Sequence, residues 1–143
     1  AEIVAQQFDL ADRVIGHGLM PIIEPEVTIS IADKAEAETL LSAEILNHLN
    51  ALPKGRQVML KLSLPSVDNH YAPLIAHPNV MRVVALSGGH SRDAANAILT
   101  RNHGMIASFS RALTEGLSAG QDDATFNRVL DKTIASICDA SVA

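Results

Sequence analysis

Four short apolar segments that alternate with helical patterns constrain the fold of this chain most strongly. We predict strands over 19–27, 58–64, 80–86 and 105–109, because each segment is short, apolar and bounded by Pro, Gly or polar residues. Strands that alternate with helices pair in parallel, through right-handed crossover connections. The sequence therefore predicts an α/β fold built from four βα units.

Apolar residues at spacings of three and four predict the helices between these strands. Asp33, followed by Glu36, resembles a capping box, and Ser91 can cap a later helix. Four helices are predicted over 2–16, 33–52, 71–76 and 91–101. A short helix should begin at about Arg111. A last amphipathic helix should carry an apolar stripe made of Phe126, Leu130, Ile134 and Ile137.

Two architectures fit four βα units: a doubly wound sheet and part of a (β/α)8 TIM barrel. No Gly-rich dinucleotide fingerprint follows the first predicted strand, which disfavours a dinucleotide-binding sheet. A whole barrel typically needs about 250 residues. The 143 residues of this chain therefore correspond to about half a barrel.

Composition excludes several classes of function. The net charge is −5, aromatic residues make up 3% of the chain, and there is no tryptophan. We therefore expect no nucleic-acid partner, and no apolar run is long enough to cross a membrane. The single cysteine, Cys138, excludes an internal disulfide and is typical of a reducing cytoplasm.

A lysine in the middle of the second predicted strand is the first candidate for chemistry. Side chains alternate along a strand, so Lys61 shares a face with Ser63, and Glu24 shares a face with Glu26 on the preceding strand. If both faces line a barrel, Lys61 and Glu24 lie on adjacent strands about 5 Å apart. A buried amine beside a carboxylate suits Schiff-base catalysis. A buried ion pair that only positions strands is an equal alternative.

The loops after the third and fourth strands have features of phosphate sites. Ser87 precedes Gly88 and Gly89, whose backbone N–H groups can approach an anion closely. Arg111 can chelate a phosphate through its planar guanidinium group. An ordinary strand-to-helix turn and a surface ion pair are the alternatives. In TIM barrels, however, the loops after strands 7 and 8 often bind phosphate together.

A metal site is not expected. The chain has six histidines, and none is paired with another His or Cys at a ligand-like spacing. Cys138, in the last predicted helix, is interpreted as a packing residue rather than a nucleophile.

Four segments of the chain closely resemble the class I fructose-bisphosphate aldolases, and the bacterial branch most of all. They are residues 18–27, 58–65, 83–89 and 107–113. The resemblance implies reversible cleavage of fructose 1,6-bisphosphate to dihydroxyacetone phosphate and glyceraldehyde 3-phosphate through a lysine Schiff base, without a cofactor. It implies that Lys61 forms the Schiff base, that Glu24 shuttles protons, and that Glu26 supports it.

The same resemblance implies a site for the substrate's C1 phosphate. Ser87, Gly88, Gly89 and Arg111 match the residues of that site, and Ser110 is a weaker candidate. The expected ligands are therefore sugar phosphates.

The resemblance also implies a full eight-stranded barrel, of which this chain carries the last four strands. We expect residues 1–143 to form a single C-terminal half-barrel that lacks the N-terminal four strands. Two open strand edges and an apolar inner face would favour self-association or pairing with a missing N-terminal half. An inactive half-barrel and a non-covalent sugar-phosphate isomerase are the alternative functions.

Overall fold

The computed structural model describes all residues, 1–143, and contains one four-stranded parallel sheet flanked by helices. The strand order is β1-β2-β3-β4, so each strand pairs with its neighbour in the sequence. The predicted α/β fold is confirmed, and the arrangement is consistent with half of a TIM barrel. Along the chain the elements are α1 (Glu2–Gly16), β1 (Ile22–Ile23), α2 (Lys34–Ala51), β2 (Val58–Ser63), α3 (Ala72–Ile75), β3 (Val80–Leu86), α4 (Arg92–Leu99), β4 (Met105–Ala107), α5 (Arg111–Thr114) and α6 (Asp123–Ser141).

The two faces of the sheet differ in burial. Along β2, Val58, Leu60 and Leu62 are fully buried against the helices, whereas Met59 and Lys61 on the other face are only partly buried. The helix-facing side chains, together with residues of α1, α2 and α4, form one core of 21 residues. The opposite face, which would line the interior of a complete barrel, is more open in this chain, although Ser63 and Val84 on it are buried.

The first strand is much shorter than predicted. We predicted a strand over 19–27, but only Ile22 and Ile23 pair with β2. Pro25 has no N–H group to donate to the ladder, so pairing ends before it. Burial nevertheless alternates along the extended segment: Ile23, Pro25 and Val27 are buried, and Ile22, Glu24 and Glu26 are exposed.

The fourth strand is also shorter than the predicted 105–109. It ends at Ala107, although the Ser108 N–H still donates to the Ala85 carbonyl at 2.8 Å. By contrast, β3 has the predicted bounds of Val80 and Leu86.

The starts of two helices differ in their capping. The Ser91 hydroxyl accepts from the Ala94 N–H at 3.3 Å, as predicted for an N-cap. Asp33 stands at the N-cap position of α2, but its side chain makes no capping hydrogen bond. The predicted capping box is therefore wrong, although α2 has nearly the predicted bounds.

The predicted apolar stripe of the last helix is only partly buried. The buried residues of α6 are Thr133 and Ala140, whereas the side chain of Ile134 is 49% exposed. Ile134 lines a cleft with Ile106 and Phe109 beside β4. Because β4 is an edge strand, no further strand covers this cleft.

A second apolar cleft lies at the opposite edge of the sheet. It runs between α1 and β1 and is lined by Leu10, Val14, Met20 and Ile22, among others. Both edges of the sheet are thus unpaired and flanked by apolar clefts. None of the helices is long and apolar enough to cross a membrane.

The N-cap of α6 gives a pH-dependent prediction. The Asp122 carboxylate accepts from the Thr125 N–H at 2.8 Å, and this bond lowers the pKa of Asp122 below 3.8. The stabilisation is therefore present above the unfolded-state pKa and is lost as the pH falls through the lower folded-state pKa. We expect Asp122→Ala to lower the free energy of unfolding at neutral pH.

The measurement is urea unfolding across a pH series. The difference between Asp122→Ala and the unmodified chain should shrink as the pH falls below about 4. Asp131→Ala, an exposed position in the middle of the same helix, is the control and should show no such trend. A difference for Asp122→Ala that is constant with pH would contradict the capping account.

Candidate active site

Lys61 and Glu24 form a direct ion pair on the open face of the sheet. The Lys61 Nζ lies 2.8 Å from the Glu24 Oε1. Lys61 projects from the middle of β2, and Glu24 directly follows β1, so neighbouring strands position the two groups. Their side chains are 26% and 45% exposed, respectively, so the amine is partly buried rather than buried as expected from the sequence. The reason is the open face, which leaves the lysine accessible to solvent.

The ion pair lines a small polar cavity that also contains the two predicted phosphate loops. The cavity has a volume of about 150 Å³. It lies at the carboxyl ends of the strands, where α/β barrels carry their active sites. The lining residues are Glu24, Glu26, Lys61, Leu86, Ser87, Gly88, Ser108, Ser110 and Arg111.

The structure therefore brings seven of the eight predicted site residues to one cavity. The eighth, Gly89, lies beside it: a Cβ atom built there would be 3.8 Å from the Arg111 Nη1. Ser108 and Leu86 also line the cavity but were not predicted. The signal for Ser108 was its place directly after the fourth strand, at the carboxyl end where such sites gather.

The loop after β3 requires both of its glycines. Gly88 and Gly89 have φ angles of +62° and +104°, in the region that favours glycine. A Cβ atom at Gly88 would come within 2.8 Å of the Ile29 side chain. The N–H groups of both glycines make no hydrogen bond within the chain. They are therefore available to an anion.

Arg111 lies beside these glycines in the same cavity. It stands at the first position of α5 and takes part in none of the ion pairs of the chain. The surface ion pair considered as its alternative is thus not present. A guanidinium group without a carboxylate partner, beside free N–H groups, is suited to a phosphate.

A second lysine, Lys34, sits in a buried polar cluster near the same end of the sheet. Its Nζ donates to Glu38, to the Leu64 carbonyl at 2.8 Å and to the Ser66 Oγ at 3.2 Å. The Glu38 Oε2 in turn accepts from the Ser66 N–H at 2.9 Å. This cluster joins the first turn of α2 to the chain that leaves β2. Sequence reasoning missed it, because a Lys and a Glu four residues apart on a helix are usually exposed.

Two titratable groups have pKa values shifted by these surroundings. Burial, followed by the charge of Lys34, lowers the pKa of His90, which favours the neutral imidazole next to the Gly88–Gly89 loop. Burial, followed by the charge of Glu38, raises the pKa of the Tyr71 hydroxyl, so Tyr71 stays protonated.

The fold thus places a lysine–carboxylate pair at the carboxyl ends of parallel strands, beside a loop with unpaired N–H groups. Comparison with proteins of known function gives a family. The chain is 61% identical, over 140 residues, to the class 1 fructose-bisphosphate aldolase of Synechocystis sp.. It is 54% identical to the enzyme of that name from Clostridium acetobutylicum and 52% identical to that of Porphyromonas gingivalis.

These alignments cover 98–99% of this chain but only 47–48% of each relative. The chain thus spans about half the length of the curated relatives it matches. No family model matches it. The resemblance to the class I fructose-bisphosphate aldolases, drawn from four short motifs, is confirmed: the chain is homologous to these enzymes along almost its whole length.

Proposed function

We propose that this chain supplies the Schiff-base part of the active site of a class I fructose-bisphosphate aldolase. That enzyme cleaves fructose 1,6-bisphosphate reversibly to dihydroxyacetone phosphate and glyceraldehyde 3-phosphate. The observation that carries the proposal is the 2.8 Å contact between the Lys61 Nζ and the Glu24 Oε1, in one cavity with the loop at Gly88 and with Arg111.

In the proposed reaction the Lys61 ammonium first passes a proton to the Glu24 carboxylate, and the free amine then attacks the C2 ketone of the substrate to form a carbinolamine. Glu24 protonates the hydroxyl of the resulting carbinolamine, which leaves as water and forms the protonated imine. The Glu24 carboxylate then removes the proton of the C4 hydroxyl while the C3–C4 bond breaks, and the electron pair of that bond moves into the enamine. Glu26, which lines the same cavity, supports Glu24 in this step.

The neighbouring loops are proposed to hold the C1 phosphate. The free N–H groups of Gly88 and Gly89 and the hydroxyls of Ser87 and Ser110 supply neutral donors, and Arg111 supplies the charge. A phosphate fixed at one end of the substrate holds the ketone next to Lys61, which converts binding energy into orientation.

Residues 1–143 are proposed to act as one half-barrel within a completed eight-stranded barrel. Two observations support this: both sheet edges are unpaired and flanked by apolar clefts, and the chain spans about half of each relative. The complement is the other half of the barrel or a second copy of this chain.

Reconstitution tests the proposal. The part of the Synechocystis aldolase that the match leaves uncovered is co-expressed with this chain, and fructose 1,6-bisphosphate cleavage is followed by the appearance of triose phosphates. We expect cleavage by the purified complex and far less by the chain alone. Lys61→Arg should abolish cleavage. A folded complex without cleavage would contradict the proposal, and near-normal turnover by Lys61→Arg would point to non-covalent chemistry.

A further inference from the structure

The backbone ladder between β1 and β2 stops just before the two candidate carboxylates. Its last registered pair is Ile23 with Leu60. From Glu24 to Val27 the chain runs alongside β2 without a backbone hydrogen bond to it. Pro25 accounts for the break, because it has no N–H group to donate. Glu24 and Glu26 therefore lie on a segment that the ladder does not hold.

A buried serine side chain holds this segment instead. The Ser63 Oγ accepts from the Val27 N–H at 2.9 Å and donates to the Val27 carbonyl at 2.9 Å. One hydroxyl can do both, because it carries a donor and two acceptor lone pairs. Ser63 is only 1% exposed, and Val27 is buried as well, so water does not compete for either bond.

The two anchors bracket the carboxylates. The Ile23–Leu60 pair fixes the segment before Glu24, and the Ser63 hydroxyl fixes it after Glu26. Ser63 follows Lys61 by two residues on the same strand, so the anchor and the amine belong to one rigid element. Ser63 does not line the cavity and would not touch the substrate.

We infer that Ser63 is a positioning residue, which sets the location of Glu24 and Glu26 relative to the Lys61 amine. The catalytic part of this inference rests on the proposed aldolase function, and its geometric part does not. The two parts are therefore tested separately.

The geometric test needs no activity. Ser63→Ala removes both bonds, and we expect faster amide exchange at Val27 and loss of the 2.8 Å Lys61–Glu24 contact in the crystal structure of the variant. Ser63→Cys, of similar size but with only a weak donor, gives the same readout if the alanine variant does not fold. An unchanged contact with unchanged Val27 exchange would overturn the inference.

Two further variants serve as controls for this test. Ser66→Ala removes a hydroxyl from the loop after the same strand, where it contacts Lys34 rather than Val27, and should leave both readouts unchanged. Ser63→Thr retains the hydroxyl and should keep the slow exchange of Val27.

The catalytic test measures the rate at which borohydride traps the imine between Lys61 and dihydroxyacetone phosphate in the reconstituted complex. We expect Ser63→Ala to slow trapping by roughly ten- to a hundredfold, as misplacement of catalytic groups by about 1 Å does. If Ser63 acts through Glu24, Ser63→Ala should add little to the defect of Glu24→Gln.

Full additivity of the two defects, or trapping by Ser63→Ala at the unmodified rate, would overturn the positioning role. Absence of trapping in the unmodified complex would instead refute the proposed function, and the geometric test would still decide whether Ser63 positions the carboxylates.

Discussion

Lys61→Met abolishes aldol cleavage by the reconstituted complex, with an expected loss in kcat of roughly 10⁴-fold or more, as for the loss of other catalytic nucleophiles. Methionine has a similar length but no amine, so no imine forms and the C3–C4 bond has no electron sink. The measurement is steady-state cleavage of fructose 1,6-bisphosphate. Lys54→Met, at an exposed lysine outside all ion pairs, is the matched control and should retain normal turnover.

The same substitution should scarcely affect folding. The Lys61–Glu24 pair is partly exposed, and pairs of this kind contribute at most about 1 kcal/mol. Normal unfolding behaviour together with lost turnover would assign the lysine to chemistry rather than to structure. More than a tenth of the normal turnover in Lys61→Met would contradict the Schiff-base account.

Unlike Lys61→Met, Lys34→Met should strongly lower the stability of the fold. It leaves the Glu38 carboxylate, which is 1% exposed, with only the Ser66 N–H as partner. Loss of one partner from a buried ion pair typically destabilises a protein by about 3–5 kcal/mol. We expect a loss near the lower end of that range, because Lys34 itself retains some exposure. Urea unfolding measures it.

Two comparisons separate this effect from ordinary loss of charge. The double variant Lys34→Met/Glu38→Leu removes the stranded carboxylate and should recover much of the lost stability. Asp68→Asn breaks the exposed pair with Arg101 and should change stability by less than about 1 kcal/mol. If Lys34→Met is as stable as the unmodified chain, or the double variant is no more stable than Lys34→Met, then loss of Lys34 does not leave Glu38 as a costly buried charge.

Local signals in the sequence were sufficient for most of the fold. The bounds of β3 follow from an apolar run between polar ends, and those of α1 from a regular apolar spacing that ends at glycines. The first strand was overestimated, because apolar alternation continues through Pro25 although hydrogen bonding does not. Strand pairing depends on backbone N–H donors, and the pattern of apolar residues does not show where such a donor is missing.

The location of the candidate site was also predictable, because the carboxyl ends of parallel strands meet at one end of the sheet. That rule alone groups Glu24, Lys61, Ser87 and Arg111, and the cavity contains all four. Their catalytic and binding roles stay predictions.

Features that depend on tertiary contact were not predictable. The burial of Glu38 depends on the loop after β2, and the bonds of Ser63 depend on the path of the chain beyond Pro25. The exposure of Lys61 depends on the strands that would face it in a complete barrel. Each of these is decided by neighbours distant in sequence, which a local pattern does not specify.

Whether Lys61 is a Schiff-base nucleophile can be measured by borohydride trapping. The reconstituted complex is incubated with dihydroxyacetone phosphate, reduced with borohydride and digested, and the peptides are analysed by mass spectrometry. We expect one stable adduct, on Lys61, that is absent without the ketone. No adduct on a folded complex, or an adduct on a different lysine, would contradict it.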